Sequence, residues 1–494
     1  MSTEALSFGD AAGKDQQAEG YAIEKLDDPA DAKLPLPPGK GAASGLSETL
    51  NFAADMWQFQ RSRSAKYGKL YRSHVLGQTT VVLSQMELVK RVLMKEGVWT
   101  KNGFPDSVSQ LLGKHSLTVE QGKPHRAHRR LIADAALGHK KMPTFYGILT
   151  DLAAKHVKQW MEESAGGKKT SAEEKLRVFT IDAALLSILG FQFDEEETKE
   201  VLKILEVLVL GLFAVPINLP FLAFGKAKAA RKRLAEIISK QLDKLEAAIK
   251  EDAEVLKTRT EGDVTFTPVM RLLIEAGQQE GEPVFTREMM IDQALILMFA
   301  GFDTTSSTMQ LAMTYIGYNK AKGGDLMDRL RQEQREVMEK HGKAFNAESI
   351  QDMKLLRASL KETLRVLPVI GAVMKILTTD LKVTMPEGQY RLPKGARIIL
   401  GQGTIAGTEI NGELGTAITR GDWKKDILEK FDPDMWLDGR ETPKFLPFAH
   451  GIRKCIGYHF AEIEMPILVA TMLREGTWDL VEGVDIPAFK HNPT

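Results

Sequence analysis

The segment Phe448-Ala449-His450-Gly451-Ile452-Arg453-Lys454-Cys455-Ile456-Gly457 contains the only cysteine among 494 residues. It leads into Tyr458-His459-Phe460-Ala461-Glu462-Ile463-Glu464, where helical spacing begins. Gly451 marks a tight turn, or a close approach of the backbone to something flat. Cys455 sits just ahead of a helix N-terminus, where backbone N–H groups and the helix dipole favour thiolate over thiol. A single thiolate is one electron-rich ligand for one metal. A lone cysteine is also commonly a small buried hydrophobe, so its context has to decide.

Composition narrows the field. One cysteine excludes an intramolecular disulfide, a multi-cysteine zinc site and a four-thiolate iron–sulfur cluster. Sixty-six basic against 66 acidic residues leave no net charge, which argues against nucleic acid as a partner. Met1 to Leu34 carries eight acids, three lysines and no arginine, unlike a transit peptide, and has no apolar stretch of the secretory kind. Residues 1–33 are expected to be a disordered lead-in. Leu34-Pro35-Leu36-Pro37-Pro38-Gly39 is then a stiff connector into a folded body over 34–494.

Val207 to Phe224 has 18 residues without a charge, but Pro216, Asn218 and Pro220 disfavour a membrane-spanning helix. A short helix to about Ala214, an apolar loop and a new helix fit better. The basic residues Lys226, Lys228, Arg231, Lys232 and Arg233 follow, so the loop suits either an anionic membrane surface or a buried corner. Long helices are predicted over Ala229–Leu256, from Arg287 to about Met313, over Asp325–His341 and over Ser349–Val366. Strands are predicted at Tyr71–Val75, Thr79–Ser84 and Leu381–Leu400, the last broken by Gly388 and Gly395.

Three upstream groupings carry chemistry. In Ala300-Gly301-Phe302-Asp303-Thr304-Thr305 an acid stands beside a hydroxyl in an otherwise apolar helix, either a buried proton-delivery pair or a polar face. The small residues there let a ligand approach the backbone. Glu362 and Arg365, three apart, share a helix face, as many surface pairs of little energetic value do. His125 and Arg129, four apart, also share one, suited to gripping acidic groups or simply basic and solvated.

The order Phe-x-x-Gly-x-Arg-x-Cys-x-Gly, followed by a helix with Phe460, Ala461 and Glu464, resembles the haem-thiolate signature of the cytochrome P-450 monooxygenases. The groupings at 300–305 and at 362–365 match that family's distal and bracing motifs. The resemblance implies a mainly α fold, a single domain with a small β lobe and haem b (iron protoporphyrin IX) buried between the long distal helix and the cysteine loop. It makes Cys455 the axial iron ligand, with Phe448 shielding the sulfur and Gly451 and Gly457 shaping the loop. Arg453, His125, Arg129 and Lys375 are implied as propionate contacts, Lys375 keeping the charge of a usual Arg but losing its fork. Ala300 and Gly301 would line the cofactor, Thr304 would steady dioxygen and Asp303 would relay protons. Glu362 and Arg365 are implied as a structural pair.

The family usually adds an arginine to that pair, from a segment that here reads Phe431-Asp432-Pro433-Asp434-Met435-Trp436. With Met435 at the expected place, either another cation such as Arg440 closes the network or the pair is less well satisfied. A usual His-Arg-Asp-Pro run is also replaced, by Gly407 to Lys425.

The implied reaction inserts one oxygen atom of dioxygen into a lipophilic substrate. Electrons come from a separate reductase or ferredoxin, and the expected state is a monomer in the cytoplasm, with peripheral membrane contact at 207–224 left open. The segments Glu48–Phe52 and Phe224–Lys228 resemble the branch that hydroxylates retinoic acid and sterol-like compounds. Phe104, Leu212, Phe213, Phe299, Phe302, Val369, Ile370 and Val373 are candidate linings, or core. Rival activities are a haem-thiolate isomerase or dehydratase acting on a peroxide and a non-catalytic haem protein. Intact Asp303 and Thr304 argue against the first.

Overall fold

Burial at every third or fourth residue makes most of the chain helical, as Phe224, Ala227, Ala230, Leu234, Ile238 and Leu242 do along Ala223–Glu251. The computed structural model describes residues 20–253, 258–260, 263–266, 268–277, 285–401, 431–439 and 445–481. It forms two compact units, the first from residues up to Phe104 and from Lys361–Cys455, the second from Pro105–Leu360 and the segment beginning at Ile456.

The first unit holds the two larger sheets, and a third, the hairpin of Thr258–Thr260 with Asp263–Phe266, belongs to the second. The five-stranded sheet runs Leu70–Val75, Gln78–Leu83, Arg397–Leu400, Val373–Leu377 and Thr100–Asn102 in spatial order. Arg397–Leu400 pairs parallel with Thr80–Leu83 and antiparallel with Val373–Ile376, so all four of its residues are buried. A second sheet, of three strands, consists of Ala22–Lys25, Leu381–Met385 and Gly388–Leu392. The predicted breaks at Gly388 and Gly395 hold, with φ of 152° and 83°. Ala22–Lys25 lies inside the expected lead-in yet pairs with Leu381–Thr384. A polar composition cannot report a main-chain partner some 360 residues away along the chain, and it is that partner that orders the segment.

Apart from that hairpin the second unit is helical, and its long helix spans Arg287–Ala321, eight residues beyond the predicted Met313. The Thr286 side chain caps it by accepting from the Met289 N–H. The helix packs on Ala172–Ala183, and Glu195–Gly211 packs on Ala223–Glu251. The predicted Ser349–Val366 helix is two, Ala347–Asp352 and Lys354–Val366, parted at Met353 with ψ of 60°. Capping explains the division: the Glu333 carboxylate accepts the Leu355 and Leu356 N–H groups at 2.5 and 3.0 Å and so starts a new helix there. Between Gly211 and Ala223 the chain is irregular, as the prolines require. A Cβ at Gly225 would lie 1.9 Å from the Leu219 carbonyl, so only glycine lets that loop fold back on the next helix.

Candidate active site

In the first unit the cysteine loop is built by its backbone. The Cys455 N–H donates to the Phe448 carbonyl at 2.8 Å and closes the loop, and the Cys455 side chain is exposed. Ala449 takes φ of 57°, an uncommon cost for a residue with a side chain. Gly451 has φ of 70°, and a Cβ there would meet the Leu93 carbonyl at 2.8 Å. The turn Gly451–Arg453 follows, and Gly457 is the N-cap of Tyr458–Glu475. Loop closure and strain thus present one sulfur, as the spacing suggested.

Two of the predicted basic contacts meet in this unit. Lys375 Nζ lies 2.6 Å and Arg453 Nε 2.8 Å from opposite oxygens of Glu96. Burial alone would raise the Glu96 carboxyl, but Lys375 and Arg453 together hold it below the usual range. Burial lowers the Lys375 ammonium, with Glu96 opposing. No residue-type pattern pointed to Glu96, because the triad joins three segments distant in sequence.

The bracing pair is better satisfied than Met435 suggested. Glu362 accepts from Arg365 Nε at 2.7 Å and Nη2 at 2.5 Å, from the Trp436 indole at 3.0 Å and from the Asp432 N–H at 3.1 Å. The Lys361 ammonium sits 4.3 Å from the centre of the Trp436 ring. The segment that lacks the arginine supplies two neutral donors instead. Arg440 and Gly407–Lys425 lie outside the described residues. Glu48, quoted above for its family likeness, is structural: it binds Lys40, Arg63 and Ser73 at 2.8 Å each, and chiefly the Arg63 contact takes its carboxyl down to about 2.

In the second unit, Ala300, Gly301, Asp303 and Thr304 lie on Arg287–Ala321. The Thr304 hydroxyl donates to the Ala300 carbonyl at 2.8 Å and that of Thr305 to Gly301 at 3.0 Å, side-chain bonds that loosen a helical ladder. From Ala172–Ala183, Thr180 donates to the Phe302 carbonyl at 2.8 Å. Asp303 is buried, with Arg177 3.4 Å away. The small residue at Gly301 has a packing reason besides ligand approach, since a Cβ there would stand 3.0 Å from that of Ala184. His125, buried, and Arg129, half-buried, share the helix Gly122–Ile132 as predicted. Their neighbour His128 is held by Glu120 at 2.7 Å.

The candidate linings divide by burial. Phe104, Phe213, Phe299, Ile370 and Val373 are half-buried, whereas Leu212, Phe302 and Val369 are enclosed by protein. Of the basic cluster after the apolar loop, Arg231 binds buried Asp292 at 2.6 Å and Arg233 binds Glu200 at 2.8 Å, leaving Lys226, Lys228 and Lys232 exposed. Among the described residues no helix is long and apolar enough to cross a membrane.

Among the described residues no three His, Cys, Asp or Glu side chains gather to hold a metal ion. A single thiolate on an exposed loop suits an iron that brings its other ligands in a porphyrin, and the basic Arg453 and Lys375 suit that macrocycle's acidic edge. The donor set fits haem.

The cytochrome P450 family model matches residues 37–406 and 429–493, and the chain belongs to that family. It is accordingly a mainly helical haem b monooxygenase. A putative cytochrome P450 120 of Synechocystis sp. is 26% identical, covering 92% of this chain and 93% of its own. Abscisic acid 8'-hydroxylase 1 of Arabidopsis thaliana is 26% identical over 92% and 88%. The retinoic-acid-bound structure of cyanobacterial CYP120A1 superposes with a TM-score of 0.72 at 25% identity, covering 91% of this chain and 94% of its own.

Proposed function

We propose that Cys455 would ligate the iron of haem in an enzyme that hydroxylates an isoprenoid-like substrate. The observation that carries this is the exposed sulfur on a loop closed by its own N–H and turned at Ala449 and Gly451, both at positive φ. Haem b, when bound, supplies a redox-active iron made electron-rich by the thiolate, which favours O–O cleavage. Arg453 and Lys375 would hold its propionates by charge-assisted hydrogen bonds, a role also proposed for His125 and Arg129. With haem bound, Phe448 would shield the sulfur, and Gly457 starts the helix behind the loop.

Thr304 and Asp303 handle protons. In the resting arrangement the Thr304 hydroxyl donates to the Ala300 carbonyl and the Asp303 carboxylate faces Arg177. Asp303, released from Arg177, would take up a proton from solvent and pass it to Thr304 Oγ1, while Thr304, turned from Ala300, hands its own hydroxyl proton on to the oxygen atom that leaves as water. Ala300 and Gly301 leave room beside the helix.

Retinoic acid in the CYP120A1 structure and abscisic acid in the Arabidopsis enzyme's name share an isoprenoid skeleton and a carboxylate. The half-buried apolar residues Phe104, Phe213, Phe299, Ile370 and Val373 suit such a ligand, while Leu212, Phe302 and Val369 act as packing. Electrons come from a separate reductase or ferredoxin to a monomeric, cytoplasmic enzyme. Exposed Val215 and Phe221, 70% and 68% accessible, with Lys226, Lys228 and Lys232 nearby, rest on anionic lipid. Co-sedimentation with phosphatidylserine vesicles that Phe221→Ser weakens checks this contact.

The carbon monoxide spectrum of the reduced protein tests the whole reading. A red-shifted Soret band lost in Cys455→Ser supports it, and a band typical of histidine ligation overturns it. Thr304→Ala should keep the band while turning oxygen consumption to peroxide. Spin-state shifts on titration with isoprenoid acids test the substrate class.

A further inference from the structure

Glu96 lies in no haem motif, yet it is the point where three segments of the first unit meet. It follows the helix Met86–Met94 and precedes the strand Thr100–Asn102. Lys375 reaches it from Val373–Leu377 and Arg453 from the turn just before Cys455. Side-chain exposures of 4% for Glu96, 5% for Lys375 and 13% for Arg453 put the cluster out of bulk water. A second contact fixes the same helix end to the same loop, since Gly451 abuts the Leu93 carbonyl.

Two cations and one carboxylate leave the triad with a single positive charge. Without the carboxylate, two buried cations would repel each other and each would carry an uncompensated desolvation cost. The bond to Arg453 runs through Nε, which fixes the plane of the guanidinium.

Resting on the reading of Lys375 and Arg453 as propionate ligands, we propose that Glu96 is a positioning residue of the haem site. It prearranges both cations for the propionates and sets the charge beside the cofactor. Outer-shell groups of this kind act through the ligands they orient, and their loss costs about tenfold or more in affinity.

The holoprotein and its Glu96→Gln and Glu96→Asp variants test this by haem transfer to apomyoglobin and by the midpoint potential of the haem. Glu96→Gln is expected to release haem about tenfold faster. Its potential should move in the positive direction, because removing a negative charge favours the reduced, more negative haem. Glu96→Asp, which keeps the charge, should hold the potential near that of the parent while releasing haem faster. Parent-like transfer and potential in Glu96→Gln, with only a lower unfolding temperature, would make Glu96 a plain structural brace and overturn the proposal. Should Glu96→Gln not accumulate with haem, Glu96→Asp decides, parent-like transfer in it being the overturning result. Lys375→Gln and Arg453→Gln separate the two layers. Unchanged haem transfer in both sinks the propionate reading itself, whereas faster transfer in them with none in the Glu96 variants sinks only the role of Glu96.

Discussion

Two glutamates, both sealed from water, are treated in opposite ways. Glu362 in the first unit receives four N–H donors, two of them from the guanidinium of Arg365. Glu464 in the second is also buried, and neither of its oxygens finds a partner of normal hydrogen-bond geometry among the described residues. Burial pushes its carboxyl up to about 8, with the Thr305 hydroxyl offsetting little, so at neutral pH Glu464 is mostly a neutral acid. A buried carboxylate persists as a charge only where donors replace its lost hydration, and otherwise keeps its proton. Family likeness in sequence marked both residues without separating a charged brace from an uncharged one.

Glu362→Gln should have the largest effect. It leaves the Arg365 cation buried without its counter-charge, and about 3–5 kcal/mol of stability should disappear in urea unfolding of the holoprotein. A loss below 1 kcal/mol would mean that the network is not energetically coupled. Trp436→Phe comes next, keeping a ring for Lys361 but deleting the indole donor. Removal of a hydrogen bond to a charged group costs about 2 kcal/mol, read from the same curves.

Glu464→Gln acts on pH rather than on the neutral state. The folded value of about 8 lies above the ordinary 4.5, so the folded protein holds a proton that the unfolded chain releases. Parent stability contributed by this group should therefore be full below pH 4.5 and fall as pH rises towards about 8. The variant lacks that loss: it should match the parent near pH 4.5 and exceed it above pH 8, as thermal unfolding at several pH values shows. Equal pH slopes would show that Glu464 is ionised and solvated after all. Met435→Arg should have the smallest effect. Glu362 already receives the Trp436 indole and the Asp432 N–H, so an arginine added beside them should change stability by about 0.5 kcal/mol or less. A gain well beyond that would show Glu362 to be short of donors.

Local spacing carried most of what was legible beforehand. Cys455 in its loop, Asp303 beside Thr304 and Glu362 three residues from Arg365 each sit within a few positions of the groups that give them meaning. Met435 left open either another cation or a less well satisfied pair, and a donor was adjacent: a tryptophan in the next position carries an N–H donor as well as a ring. Glu96 had no such neighbour. The strand Ala22–Lys25 was likewise missed, because its hydrogen bonds go to residues 381–384. The long helix, of 35 residues, also ran past the predicted Met313, with Thr314, Tyr315, Ile316 and Gly317 of the extension still buried.

By itself the sequence determined the family's chemistry: one thiol at one place, an acid beside a hydroxyl in a helix, and no second cysteine to compete. These depend on residue identity and short separations, which a linear chain states directly. The tertiary structure alone decided which charges are kept. Glu96 remains a carboxylate because Lys375 and Arg453 reach it from distant segments, and Glu464 keeps its proton because burial outweighs the Thr305 hydroxyl, its oxygens having no partner of normal hydrogen-bond geometry among the described residues. Burial and partnership are properties of the folded chain, and the ionisation of a buried group follows from them rather than from its name.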